Sequence, residues 1–236
     1  MALVDLDTRQ YATEAASPYL NGIGARRQGG MSLRQTIRPL RSRNFFLAWF
    51  GETVSDLGSR CYDITLIWLV TSLTGSTVLL GSVLTAAYIP TILLLVVGGV
   101  WADRVNPRSI VAWSEFLRAV VTFVFAVLII LDMITVSAVF GFALLYGLVR
   151  AFVNPALSAL FPSLIPSTQY NTANSLRQFG TETATLLGPP LGGLIIASYS
   201  IAAALLFTGI TFVVSMGAMI LIRRRDVNIN TDEAES

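Results

Sequence analysis

Long apolar runs alternate with short polar breaks along this chain. Six runs, at roughly 45–71, 78–101, 109–131, 136–161, 173–198 and 201–222, each approach or exceed the ~20 residues that a helix needs to cross a bilayer core. The breaks carry turn chemistry: Thr74-Gly75-Ser76, Asp103 to Pro107, Asp132 to Thr135, and Pro162 to Tyr170. The last two runs are joined only by Ser198-Tyr199-Ser200, which predicts an antiparallel helical hairpin. Strands do not fit, because the runs are too long and lack period-2 alternation. The pattern therefore predicts an all-α integral membrane protein with six transmembrane helices over 44–222. A basic, largely disordered cytoplasmic segment at 1–43 precedes them, and a cytoplasmic tail at 223–236 follows.

Composition supports this and narrows the chemistry. Hydrophobic residues make up 54% of the 236-residue chain, charged residues 13%, and mean hydropathy is +0.67. A soluble domain carries about 25% charged residues. The chain has no histidine and no lysine, so all 16 basic residues are arginine. Without histidine there is no Ser-His-Asp or Cys-His pair and no histidine metal site. Without lysine there is no Walker phosphate lysine and no Schiff base. The lone Cys61 cannot form an internal disulfide. No metal, no cofactor and no nucleic-acid partner is expected, and no enzymatic activity.

Arginine placement predicts the orientation. Seven arginines precede the first run, Arg104 and Arg108 lie in the second break, and Arg223, Arg224 and Arg225 follow the last run; the breaks on the other side contain none. By the positive-inside rule both termini and the 102–108 loop are cytoplasmic, in a bacterial-type inner (plasma) membrane. Arg38, Arg41 and Arg43 are expected at anionic headgroups. No apolar segment of a signal peptide precedes the first run.

The first run is polar along one side. On a helical wheel with Glu52 at zero, Ser59 falls near about −20°, Asp63 near about +20°, Asp56 near about +40° and Arg60 near about +80°. Charges inside a bilayer cost about 2.5–3.5 kcal/mol each, so such a face looks into a bundle or an aqueous cavity. Asp56 and Arg60, at i,i+4, either neutralise each other or serve a site. Glu52 and Asp63 have no partner within the helix and are candidates for a coupling ion or a cationic substrate.

The second break reads Gly98-Gly99-Val100-Trp101-Ala102-Asp103-Arg104-Val105-Asn106-Pro107-Arg108. It resembles the signature loop of the major facilitator superfamily, which lies between the second and third helices. The resemblance implies a gating loop built on Gly99, Asp103, Arg104, Asn106 and Arg108. Gly99 would allow close helix approach, and Asp103 would cap the third helix or pair with an arginine. Asn106 stands where the family usually has Gly, at a turn expected to need positive φ. Gly188-Pro189-Pro190-Leu191-Gly192-Gly193 is similar to the Gly-Pro element of antiporter members, a kinkable helix with a smooth face. Arg43-Asn44-Phe45, Trp68-Leu69-Val70, Asn154-Pro155-Ala156 and Asn174-Ser175-Leu176 resemble the drug, macrolide and siderophore exporter branch.

That resemblance implies the N-terminal half of a major facilitator fold, made of two inverted three-helix repeats. Family members are roughly twice this length, with substrate between two six-helix halves. The second half would belong to the same chain in a full-length protein, to a separate chain, or to a homodimer. Partners would be membrane lipid, a small-molecule substrate and a coupling proton. Arg150 is expected near mid-span in the fourth helix, as a functional residue or paired with Glu52 or Asp56. Positions 153 and 154 are Val153 and Asn154 rather than the Gln-Gly of the antiporter motif, so Arg150 rests on burial cost alone. Glu115 and Arg118 suggest an i,i+3 pair with a structural or gating role. Arg177 could snorkel to the interface, and Glu182 is a gating candidate.

The leading expectation is proton-coupled efflux of drug-like or amphipathic molecules, with Asp63, Asp56 or Glu52 as the acid. Alternatives are a non-transporting fragment, a half-transporter needing a second chain, a permease domain driven by an ATPase, and a membrane enzyme. A serine protease of this build lacks its histidine. A lipid head-group transferase would want several clustered Asp where only Asp103 fits, and an ATP-driven permease would want a longer charged loop than 162–170. Met31 opens an ordinary short basic lead-in, so one hypothesis is that translation starts there, the alternative being Met1. Intact-mass measurement of the native product checks this, and a mass beginning at Met1 or Ala2 excludes it.

Overall fold

The computed structural model describes residues 38–102 and 106–223. Met31, Asp103, Arg104 and the acidic tail lie outside them. Within them the chain is helical: α1 Arg43–Thr74, α2 Thr77–Ala102, α3 Pro107–Ile130, α4 Val136–Arg150, α5 Val153–Leu160, α6 Tyr170–Ser198 and α7 Ile201–Leu221. Among the described residues, four segments are long and apolar enough to cross a membrane: Thr77–Leu94, Pro107–Ile130, Val136–Leu164 and Ile201–Leu221. The described residues are thus all-helical, in keeping with an integral membrane protein. α1 and α6 are the two longest described helices, at 32 and 29 residues, and both carry polar side chains that face the bundle.

Each break ends and restarts a helix by local chemistry. Gly75 takes φ +61°, closing α1 with its N–H on the Thr71 carbonyl; only glycine adopts that conformation without a Cβ penalty. Thr135 and Ser200 cap α4 and α7, accepting from the N–H groups of Ala138 and Ala203 as N-cap residues do. Asn106 departs from the expected positive-φ turn. Its φ is −57°, and its side chain accepts from the Arg108 N–H at 3.1 Å. Pro107 follows at the first helical position, where its missing N–H costs nothing. Asparagine therefore stands here as a cap rather than as a glycine substitute.

The fourth run is not one helix. α4 stops at Arg150, and α5 begins after Ala151 and Phe152. Pro155 explains the break, since its ring clashes with the carbonyl four residues back, at Ala151, and it has no N–H to give. Arg150, expected near mid-span, lies at the middle of the Val136–Leu164 segment and is the last residue of α4. That places its guanidinium at a helix end, where the backbone carbonyls favour positive charge.

α1 is the hub: it packs along both α6 and α7, while α2 packs on α4 and α3 on α7. α6 meets α1 through Thr172, Leu176, Gly180, Ala184, Gly188 and Gly192, one buried residue every fourth position. Such a ridge of small residues lets backbones approach closely. A Cβ at Gly188 would collide with the Arg60 Cβ, and one at Gly192 would meet the Ile64 Cγ2 and the Cys61 Cα. Gly193, one residue on, faces open space, so only part of the glycine-proline element serves packing.

The start of α1 and the segment after α7 meet at one end of the bundle. Asn44 and Arg223 exchange two hydrogen bonds of 3.2 Å. Arg108 donates to the carbonyls of Met219 and Ile220 at 2.7 and 2.6 Å, capping α7. One apolar core lies at that end, around Phe45, Val111, Leu160, Phe161 and Met219. A second surrounds Tyr62, Leu66, Val83, Phe125, Val139 and Leu205.

Gly188→Ala is expected to destabilise the purified protein by about 1–3 kcal/mol through overpacking. Gly193→Ala should not, since it relieves a helical glycine in open space. Thermal unfolding of both variants in the same detergent compares them.

Candidate functional site

The polar side of α1 sits between these two cores and is met by charged or hydroxyl side chains from every neighbour. Among the described residues three ion pairs form, and all cross or flank this layer. Glu52 receives a two-pronged contact from Arg177 of α6, Nη2 to Oε1 at 2.6 Å and Nε to Oε2 at 3.0 Å. The Arg177 guanidinium also lies 4.1 Å from the centre of the Phe161 ring. Arg177 therefore turns inward instead of snorkelling. The paired fork explains why: it satisfies a buried carboxylate with fixed geometry.

Glu115 and Arg118 of α3 form the deepest pair, each side chain 2% exposed. Ser55 bridges it, donating to Glu115 at 3.0 Å and accepting from Arg118 Nη2 at 2.8 Å. Arg118 Nη1 donates to Ser59 at 3.2 Å, and the Tyr146 hydroxyl reaches the same Ser59 oxygen at 3.2 Å. Phe212 covers the guanidinium at 4.4 Å. Tyr146 in turn stacks on Tyr62, with ring centres 4.0 Å apart. A cavity of about 30 Å³ touches Glu52, Asp56, Arg118, Arg150 and Ser215, room for about two water molecules.

Asp63 and Arg150 form the third pair, and it differs in kind. They stand 3.7 Å apart, each side chain 24% exposed. Tyr88 of α2 donates to Asp63 at 3.4 Å, and its ring lies 5.7 Å from the Arg150 guanidinium. Arg150 thus pairs with Asp63, not with Glu52 or Asp56 as expected; its place at the end of α4 sets its reach.

Asp56 and Arg60 do not form the expected i,i+4 pair. Asp56 instead accepts from Thr181 of α6 at 3.0 Å, and the Arg60 stem packs against Gly188. The close α1–α6 packing offers Asp56 a fixed hydroxyl. Glu182 is exposed on α6 and accepts from Gln178 of its own helix at 2.5 Å, apart from the layer. Of the loop residues, Gly99 falls in the last part of α2, while Asn106 and Arg108 act as helix caps. Sequence reasoning singled out the charges and missed two of the hydroxyls joining them, Thr181 and Tyr146, as well as the bridging role of Ser55 and Ser59. The spacing Glu52, Ser55, Asp56, Ser59 already put two of these on the charged face of α1.

Residues 34–235 match a protein family described as transmembrane secretion effectors, of the major facilitator superfamily. Macrolide efflux protein A of Streptococcus pyogenes is 21% identical over 179 residues, 76% of this chain and 44% of that protein. The staphyloferrin A transporter of Staphylococcus aureus is 25% identical over 178 residues, 72% of this chain and 42% of the relative. An MFS-type transporter of Bacillus subtilis, YkuC, is 22% identical over 178 residues, 74% of this chain and 40% of the relative. The chain thus spans less than half the length of the curated relatives it matches.

Removing one member of the Glu115–Arg118 pair leaves a buried charge uncompensated. Glu115→Leu or Arg118→Leu alone is expected to destabilise the protein by about 3–5 kcal/mol. The double variant should lose less than either single one, because no charge is stranded. Denaturation of the three variants in one detergent measures this coupling.

Proposed function

The chain belongs to the transmembrane secretion effector family of the major facilitator superfamily, and we propose that it works as the N-terminal six-helix half of a proton-coupled exporter of drug-like or amphipathic molecules. The loose Asp63–Arg150 pair carries this reading. The Glu115–Arg118 pair is sealed and hydroxyl-bridged, suited to holding helices together. Asp63 and Arg150 are far enough apart, and exposed enough, to exchange each other for a proton or a substrate charge. Protonating Asp63 would remove the attraction that ties α1 to α4. Substrate binding would favour the opposite access state. Asp56, with its hydroxyl partner, and Glu52, held by Arg177, are the supporting acids on the same face, beside Arg60.

Six spans with both termini cytoplasmic accompany this proposal. The two polar helices α1 and α6 would span together with the four apolar segments, α4 and α5 forming one broken span. The helix pairings support two inverted repeats. Exchanging the first three spans for the last three turns the α1–α6 contact into the α2–α4 contact and returns the α3–α7 contact to itself. The meeting of Asn44, Arg108 and Arg223 at one end agrees with a common side for the arginine-rich segments, cytoplasmic by the positive-inside rule. Names among the relatives, a macrolide efflux protein and a staphyloferrin A transporter, support export of sizeable organic molecules. Transport would need a second six-helix half, in the same polypeptide, a separate chain or a second copy. The lipid bilayer would supply the surroundings of both.

In an assembly that contains both halves, Asp63→Asn is expected to reduce proton-driven dye uptake into inverted vesicles, which is export seen from the cytoplasmic face, to background while the protein still folds. Glu52→Gln and Asp56→Asn are expected to lower it in part. Wild-type efflux by all three single variants would exclude carboxylate coupling on this helix.

A further inference from the structure

A groove of about 470 Å³ opens on the outside of the bundle between α3 and α7, away from the polar layer. Its α3 wall is Arg108, Ser109, Trp113 and Phe116, and its α7 wall is Met216 and Ile220, with Ala112 at the floor. The lining is polar at one end and hydrocarbon beyond it. Trp113 is 65% exposed and Ile220 55%, and further along the same two helices Val120, Val124, Ile210 and Val214 are exposed too. In a membrane protein that face meets acyl chains.

Arg108 is the ionic side chain among the described lining residues. Its Nε and one Nη2 N–H are committed to the α7 carbonyls, which fixes the guanidinium at the mouth of the groove. Among the described residues its Nη1 donors carry no hydrogen bond, and neither does the Ser109 hydroxyl. No described acidic side chain lines the groove to neutralise the arginine. Trp113 stands four residues after Ser109, one helical turn along α3, and tryptophan favours the membrane–water interface.

We infer that this groove is a binding site for an anionic glycerophospholipid, its phosphate on Arg108 and Ser109 and one acyl chain along Trp113, Phe116 and Met216. Basic pockets between transmembrane helices take anionic headgroups in this way. The inference does not depend on the transport reading, because it concerns the outer face of α3 and α7. A seated lipid would bridge the start of α3 and the end of α7, the same two segments that Arg108 already ties together.

Native mass spectrometry of the purified chain in neutral detergent tests this, with phosphatidylglycerol and phosphatidylcholine of identical acyl chains as probes. Phosphatidylglycerol should be retained about fivefold better, as one arginine at the interface implies. Arg108→Gln should erase that preference, while Arg43→Gln keeps it. Ala112→Phe, which fills the groove and leaves Arg108 in place, should lower phosphatidylglycerol retention several-fold. Arg108→Gln also removes a helix cap, so its fold is checked by gel filtration; if it fails to fold, Ala112→Phe decides the matter. Equal retention of both lipids by the unaltered protein, a preference surviving in folded Arg108→Gln, or undiminished retention in Ala112→Phe would each overturn the proposal. Displacement of the lipid by inorganic phosphate alone would overturn it too, since the groove would then add nothing.

Discussion

Charge inside a bilayer needs a partner, and α1 carries Glu52, Asp56, Arg60 and Asp63 along one side. Lipid tails offer nothing to these groups. The helix is therefore forced to the middle of the bundle, and its neighbours are selected by what they bring. α6 brings Arg177 and Thr181, α3 brings Glu115 and Arg118, α4 brings Arg150 and Tyr146, and α2 brings Tyr88. Much of the arrangement follows from the demand that each of these groups be met.

Close approach makes the pairing geometrically possible. The Arg177 fork reaches Glu52 because Gly180, Gly188 and Gly192 let α6 lie against α1 with no side chain of their own at the contact. α7 closes the other flank in the same manner: a Cβ at Gly58 would strike Thr211, and Thr208 donates to the Gly58 carbonyl at 3.4 Å. Hydrophobic burial gives little drive between helices in lipid, so packing of small residues and interhelical hydrogen bonds carry the association. The polar layer and the glycine ridge are thus two parts of one solution.

The layer is not uniform. At one extreme, Glu115 and Arg118 are sealed between α1 and Phe212 with hydroxyls bridging them. At the other, Asp63 and Arg150 are separated, half open, and held at the end of a helix broken by Pro155. A sealed pair fixes geometry, whereas an open pair at a helix break has room to rearrange. Conformational change in this bundle is expected where α4 ends, not where α3 crosses α1.

Much of this was legible from the residues alone. Apolar run lengths located the helices to within a few residues, because the thickness of hydrocarbon sets a length that periodicity cannot disguise. The turn chemistry of Gly75, Thr135 and Ser200 marked the helix ends, since capping is local. The 100° rule put the charges of α1 on one face. Partner identity was not legible: helical spacing offers Asp56 the Arg60 of its own helix, and burial cost offers Arg150 either Glu52 or Asp56, whereas the structure gives Thr181 and Asp63. Asn106 stands where the resembled loop has a positive-φ glycine, and it is a cap. Local features follow from a few neighbouring residues, so the sequence by itself determined where helices run and which side of each is polar. Which charge meets which depends on helix rotation, on depth and on the break at Pro155, all set by packing between segments more than a hundred residues apart. Only the tertiary structure could decide that.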